Sequence, residues 1–197
     1  MIYGDGWMIK KKNTDFTFCH SLKQKEYALW KLELLKRYCS VRKYAISYKK
    51  HIPAQICIRV SVHHKLNSAY RRTYENDKKV IKLDGLKKIS DLSLAIWFMD
   101  DGTFIKRFKT RTGKLKENPY ISQIRLCTHS FSLEENQLIQ KFLKNKFNLE
   151  FRIYTTKGKE RLLYYLAYVG KENVNKFIGI VKPYIELCPS MLYKITI

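Results

Sequence analysis

From Leu92 to Met99 the chain carries no charge on any side, and Asp100, Asp101 and Gly102 follow at once. A helix that is apolar around its whole circumference has to be buried around its whole circumference. The stretch is therefore expected to be a central helix, packed against another helix. It is too short to cross a membrane, which takes about 20 apolar residues. Two carboxylates at its end lie beside the negative pole of the helix dipole, which costs energy unless a cation or a donor compensates. A hard divalent cation, which takes oxygen ligands, answers that need. Gly102 can serve as a C-cap and can let a second backbone come close. An ordinary buried helix ending in an Asp-Gly turn fits these residues equally well, so a second copy of the pattern is what decides.

A partial second copy opens the chain: Met1-Ile2-Tyr3-Gly4-Asp5-Gly6-Trp7-Met8-Ile9 again runs from apolar residues through Asp-Gly into a short apolar stretch. The two stretches resemble the paired motifs of the LAGLIDADG homing endonucleases, in the single-chain branch whose second motif commonly reads Trp-Phe-Met-Asp-Asp-Gly. The likeness runs through the whole chain, including Lys182-Pro183-Tyr184 and Met191-Leu192-Tyr193-Lys194. The first motif departs from the family. Only three residues precede Gly4, less than one turn at about 3.6 residues per turn, so nearly all of its helix is missing. A fragment or mis-started reading frame is the expected reason, ahead of a degenerate remnant that binds without cutting or a chain that dimerises to cover the exposed helix; a monomer is the expected state.

Composition points to a polyanionic partner. Lys and Arg number 39 against 17 Asp and Glu in 197 residues, a net charge of +22, which predicts nucleic-acid binding that weakens with salt. A basic protein of the ribosomal kind fits the charge alone. Residues 1–90 hold 21 basic and 7 acidic residues, and residues 91–197 hold 18 and 10, so both halves are expected to touch the partner. Cys19, Cys39, Cys57, Cys127 and Cys188 are odd in number, scattered and free of any Cys-x-x-Cys pair. That argues for reduced thiols and against zinc or a disulfide framework. No signal peptide, presequence or membrane span is evident. The 29 lysines against 10 arginines are what AT-rich coding sequence produces and favour an organellar genome, mitochondrial first and chloroplast second.

Along the chain, Trp7–Lys12 and Phe16–His20 read as strands joined by the turn-forming Asn13-Thr14-Asp15. Gln24–Tyr38 has helical periodicity. Tyr44–Tyr48 and Gln55–His63 read as a second hairpin, with Ile56, Ile58, Val60 and Val62 on one face and Cys57, Arg59 and Ser61 on the other. Leu66–Glu75 reads as a helix, and Lys78–Lys88 as a basic linker. The second half repeats this order: strands over Thr103–Lys109 and Tyr120–Thr128, a helix capped by Ser132 with Glu134 and Glu135 in its first turn, a hairpin over Phe151–Thr156 and Leu162–Val169, and a helix over Lys171–Val181. Phe18-Cys19-His20-Ser21 parallels Leu126-Cys127-Thr128-His129-Ser130. The domains expected are residues 1–88 and 89–197.

The resemblance implies an α+β fold of two pseudo-symmetric αββαββα units, the first lacking most of its motif helix, whose antiparallel sheets form a DNA-binding saddle. It implies a double-stranded DNA target, cut by a nuclease that uses Mg2+ or Mn2+, with intron RNA as the partner of a maturase alternative. It carries the metal-ligand role to Asp5 and Asp101, with Asp100 the weaker carboxylate, and a catalytic basic role to Lys79 and Lys194. Gly4, Gly6 and Gly102 would lie at the helix interface. Since alternate residues of a strand share a face, the DNA-contacting candidates in the first half are Lys10, Lys12, Arg59, Ser61 and His63. Those in the second half are Lys106, Arg107, Lys109, Gln123, Arg125, Arg152 and Tyr154.

Overall fold

The computed structural model describes residues 3–10, 14–49, 52–62, 64–109 and 112–196. It divides into two compact units, one of Met1–Val80 with Cys188–Met191 and one of Ile81–Leu187 with Leu192–Ile197.

In the first unit, strands β1 (Gly6–Lys10), β2 (Thr14–Ser21), β3 (Cys39–Lys49) and β4 (Ile52–Val62) form an antiparallel sheet in the order β1-β2-β4-β3. Strict alternation builds its core: Phe16, Phe18, Ile56, Ile58 and Val60 are buried. They pack with Ala28 and Leu32 of α1 (Lys25–Lys36) and with Tyr70, on α2 (His64–Thr73). Each side chain of that size removed from water contributes about 1.5–3 kcal/mol. The segment expected to be a basic linker holds structure. Strands β5 (Tyr74–Glu75) and β6 (Lys78–Lys79) pair across Asn76 and Asp77, both in the left-handed region (φ 48° and 60°). That is the backbone a two-residue hairpin turn requires. Tyr74 then accepts from the Met8 amide at 3.0 Å, tying the small hairpin to β1.

The second unit begins with the one-turn helix α3 (Leu83–Leu86) and then α4 (Asp91–Asp101). Ser90 caps α4, accepting from the Ser93 amide at 3.3 Å. Leu94 to Met99 are all buried, as an all-apolar helix demands. Strands β7 (Gly102–Lys109), β8 (Leu115–Leu126), β9 (Arg152–Lys157) and β10 (Leu162–Val169) form the sheet β7-β8-β10-β9, the same order as in the first unit. Helix α5 (Leu133–Phe147) is capped by Ser132 as expected, in a capping box closed by Glu135, and ends at Asn148 with φ 54°. Helix α6 (Lys171–Ile185) packs on α4, the Phe98 and Phe177 rings meeting edge to face at 5.2 Å.

Gly102 ends α4 as its C-cap, as expected, in an extended conformation (φ −91°) that opens β7, and a Cβ there would lie 2.1 Å from the Phe98 ring and 2.5 Å from the Phe98 carbonyl oxygen. Two expectations are corrected. Cys19 and Cys57 are joined in a disulfide, because the β2–β4 register sets them opposite each other with Cα atoms 4.2 Å apart. Their separation of 38 residues hides this in the sequence. Cys39, Cys127 and Cys188 are free thiols. Lys10 and Lys106, expected on the outward faces, instead share the parity of Met8 and Phe104 on the core sides of their sheets.

Candidate active site and nucleic-acid interface

Each motif places an Asp-Gly at the head of a sheet. In the first unit, Asp5 closes the turn that leads into β1, and Gly6 pairs with Phe18. In the second, Asp101 is the last residue of α4, and Gly102 pairs with Leu126. Because the two registers correspond, Phe18 answers to Leu126, Cys19 to Cys127 and His20 to Thr128.

Each Asp-Gly is also held by a lysine from far along the chain. Lys79 Nζ donates to the carbonyl oxygens of Gly4 at 2.9 Å and Gly6 at 2.8 Å, the residues on either side of Asp5. Lys194 Nζ donates to the Gly102 carbonyl at 2.6 Å, directly after Asp101. An ammonium donating to fixed carbonyls is held in position by charge-assisted bonds, so its charge stays beside the carboxylate-bearing segment.

Behind the two acids the units differ. Asp5 lies 3.5 Å from His20 Nδ1, and Lys31 Nζ lies 3.1 Å from His20 Nε2. Lys31 is fully buried, with its ammonium 4.9 Å from the Phe18 ring and 5.0 Å from the Tyr27 ring. A lysine that donates to Nε2 leaves the ring proton on Nδ1, the nitrogen that faces Asp5. In the second unit the corresponding Thr128 donates to Asn136, and the Cys127 amide donates to the Asp101 carbonyl at 3.0 Å. Sequence reasoning paired His20 with this position through the repeat but assigned it no role. Its parity with Phe16 and Phe18, on the inward face of β2, was the available signal.

Each sheet presents a second face opposite its core. In the first unit that face carries Trp7, Ile9, Asp15, Thr17, Arg59 and Ser61, by alternation with buried Met8, Phe16, Phe18, Ile58 and Val60. Arg59 and Ser61 fall there as expected. Lys10 does not: it shares the parity of buried Met8, and its ammonium lies 5.8 Å over the Tyr70 ring. Lys12 and His63 lie outside the described residues.

In the second unit the corresponding face carries Gln123, Arg125, Arg152 and Tyr154, together with Tyr165, which sequence reasoning missed. Tyr154 stacks on Tyr165 at 5.7 Å, and the Arg125 guanidinium lies 5.1 Å from the Tyr165 ring centre. Arg107 pairs with Tyr120 on this side, but Lys106 shares the parity of Phe104 and lies on the core side, opposite Ile121, which a bulge at Ser122 of β8 turns inward. Lys109 pairs with Leu115 after a further shift. No helix among the described residues is long and apolar enough to cross a membrane.

A ββαββα unit and the αββαββα unit that follows it, each heading its sheet with an Asp-Gly braced by a lysine and each turning an arginine and aromatic side chains away from its core, define a duplicated α+β protein. The chain belongs to the LAGLIDADG DNA endonuclease family, whose profile matches residues 1–177. It is 32% identical over 129 residues to the intron-encoded endonuclease ai4 of Dictyostelium discoideum, covering 65% of this chain and 69% of that protein. It is 30% identical over 131 residues to the cytochrome b mRNA maturase bI2 of Debaryomyces hansenii, covering 66% of this chain but only 42% of that protein. Among solved structures it resembles the homing endonuclease I-WcaI bound to its DNA recognition sequence, with a TM-score of 0.78 and 26% identity over 99% of this chain and 82% of that one.

Proposed function

We propose that the chain is a site-specific double-strand DNA endonuclease encoded by a mobile intron, hydrolysing one phosphodiester bond in each strand. The observation that carries this reading is the repeated Asp-Gly with a lysine donating to its backbone, at Lys79 around Asp5 and at Lys194 beside Asp101. Asp5 and Asp101 are the proposed ligands of divalent cations, Mg2+ or Mn2+. The residues fit: both offer hard oxygen donors, and Asp101 ends a helix with no basic residue in its last turn, a placement that favours a cation. When bound, such an ion activates water, polarises the phosphate and stabilises the leaving oxygen.

The chain's own groups do the rest. His20 turns its Nδ1 towards Asp5, which orients the carboxylate. Lys79 and Lys194 hold positive charge where the phosphate gains negative charge in the transition state. The outward sheet faces read base edges while basic side chains fix the phosphates, and the net charge of +22 gives an affinity that falls as salt rises. The lysine-rich composition and the intron-encoded relative support an organellar, first a mitochondrial, location.

The similarity to a maturase favours a second reading, in which the same fold binds intron RNA. Retention of Asp5 and Asp101 favours cleavage. The test is a cutting assay with Mg2+ on a plasmid carrying the intronless host junction, using the wild type, Asp5→Asn and Asp101→Asn, with affinities for that DNA and for the intron RNA measured in parallel. The wild type is expected to linearise the plasmid, and both variants to bind it without cutting. Equal cutting by either variant would remove that carboxylate from the site; tight intron-RNA binding with no cutting by the wild type would move the protein to the maturase reading.

A further inference from the structure

The outward face of the first sheet holds an acid where a DNA-reading surface should have none. Asp15 is 4% exposed yet lies on the side away from the apolar core, opposite Ile9 on β1 and Ser61 on β4. Arg59 donates to one of its carboxylate oxygens through Nε at 3.0 Å and also through Nη2. Arg42, at a register shift in β3, brings its Nε to 3.4 Å from the other oxygen. A lone carboxylate there would repel a phosphate backbone; two arginines outweigh its charge and leave the cluster net positive.

The second sheet repeats the arrangement with different residues. Gln123, opposite Ile105, occupies the register position of Asp15, and its side-chain oxygen accepts from Arg125 Nε at 3.2 Å. Arg59 and Arg125 stand at the same level, the first after the motif glycine: Arg59 pairs with Thr17 beside Trp7, and Arg125 pairs with Thr103 and Ala167. The guanidinium therefore comes from β4 in one unit and from β8 in the other, but in both its Nε is turned back to an acceptor two residues before the β2 or β8 member of that level. With Nε so engaged, what each side chain offers outward is the end-on edge formed by Nη1 and Nη2, a planar two-donor fork in a fixed orientation.

We propose that Arg59 and Arg125 are matched guanine readers, one for each half of the DNA site, and that Asp15 and Gln123 are the positioning residues that lock them. The O6 and N7 acceptors of guanine in the major groove accept this two-donor edge, and a side chain whose rotamer is held by a neighbour in the supporting shell reads more sharply than a mobile one. The proposal rests on the DNA-binding reading above.

The experiment is selection from a double-stranded DNA library, randomised across the site and bound in chelator so that cutting plays no part, followed by sequencing for the wild type, Asp15→Asn, Arg59→Lys, Gln123→Ala and Arg125→Lys. The wild type is expected to select a G·C pair in each half. Asp15→Asn and Arg59→Lys should relax the same pair, and Gln123→Ala and Arg125→Lys the other, each by about tenfold, the scale of one bidentate contact. Asp15→Asn should also raise affinity for random DNA, since it deletes a negative charge. Arg59→Lys keeps the charge pair with Asp15 while removing the fork, so it separates reading from folding. Unchanged preferences in Asp15→Asn and Gln123→Ala, or a uniform loss at every position, would overturn the positioning role while leaving DNA recognition in place. Failure of the wild type to enrich any sequence would overturn the DNA-binding reading and this proposal with it.

Discussion

Lys194 Nζ donates to the carbonyl oxygen of Gly102 at 2.6 Å across 92 residues of sequence. Lys79 does the same for the first motif, spanning 75 residues to Gly4 and 73 to Gly6. In both units the ammonium is anchored on the backbone that carries the motif acid, so its loss should affect the unit it serves.

Lys79→Met and Lys194→Met should therefore each slow cutting of one strand by about 10²–10³, the usual effect of removing one electrostatic stabiliser, with little change in DNA affinity. Agarose resolution of a supercoiled substrate checks this: nicked circles should accumulate in each single variant and linear product should disappear. Equal loss of both cuts in either variant would show that the lysine acts on the whole protein.

Gly102→Ala should destabilise the fold by about 1–3 kcal/mol, the scale of overpacking a core. The added methyl would meet the Phe98 carbonyl oxygen at 2.5 Å, and the Phe98 ring cannot swing away because Phe104 and Phe177 hold it at 4.8 and 5.2 Å. Gly113→Ala is the control: nothing lies within 4 Å of its Cβ, and its cost is confined to φ +85°. Urea unfolding monitored by tryptophan fluorescence should show the larger drop at Gly102.

The hydroxyl of Tyr70 donates to the Asp77 carboxylate, and that bond, with burial and the Asp77 charge adding to it, pushes its pKa from 10.0 up to about 12. The neutral phenol is the favoured form in the folded state. Its contribution is complete below about pH 10, the value for an unfolded tyrosine, and is lost as pH rises towards 12. Tyr70→Phe should flatten that alkaline leg of the stability curve, and the ultraviolet difference titration should lack a phenol ionising near 12. A leg of unchanged shape would place the loss elsewhere.

Alkylation of the denatured chain without reductant should label three of the five cysteines, Cys39, Cys127 and Cys188, and all five after reduction. Reduction should also lower stability by about 2–4 kcal/mol, the range for a cross-link of this kind. Five labelled thiols before reduction would exclude the Cys19–Cys57 bond.

Much of the architecture was legible because helix and strand periods are written between near neighbours. The uncharged run before Asp100 announced α4, Ser132 with Glu135 announced the start of α5, and the alternation from Ile56 to Val62 assigned both faces of β4. The duplicated Asp-Gly could be read at Asp5 and Asp101 for the same reason. What the tertiary structure decided were register and long-range pairing. An extra residue exchanges the faces of the strand that carries it, so the bulge at Ser122 turned Ile121 to the core side of β8, opposite Lys106, which no local pattern could indicate. The Cys19–Cys57 bond, the lysines at Gly4 and Gly102, and the His20–Lys31 contact behind Asp5 join residues whose proximity exists only once the sheets have formed. Asp15 shows the limit most directly: in sequence it is an acid in a turn-like Asn-Thr-Asp, and only the β2–β4 register makes it the acceptor that holds Arg59.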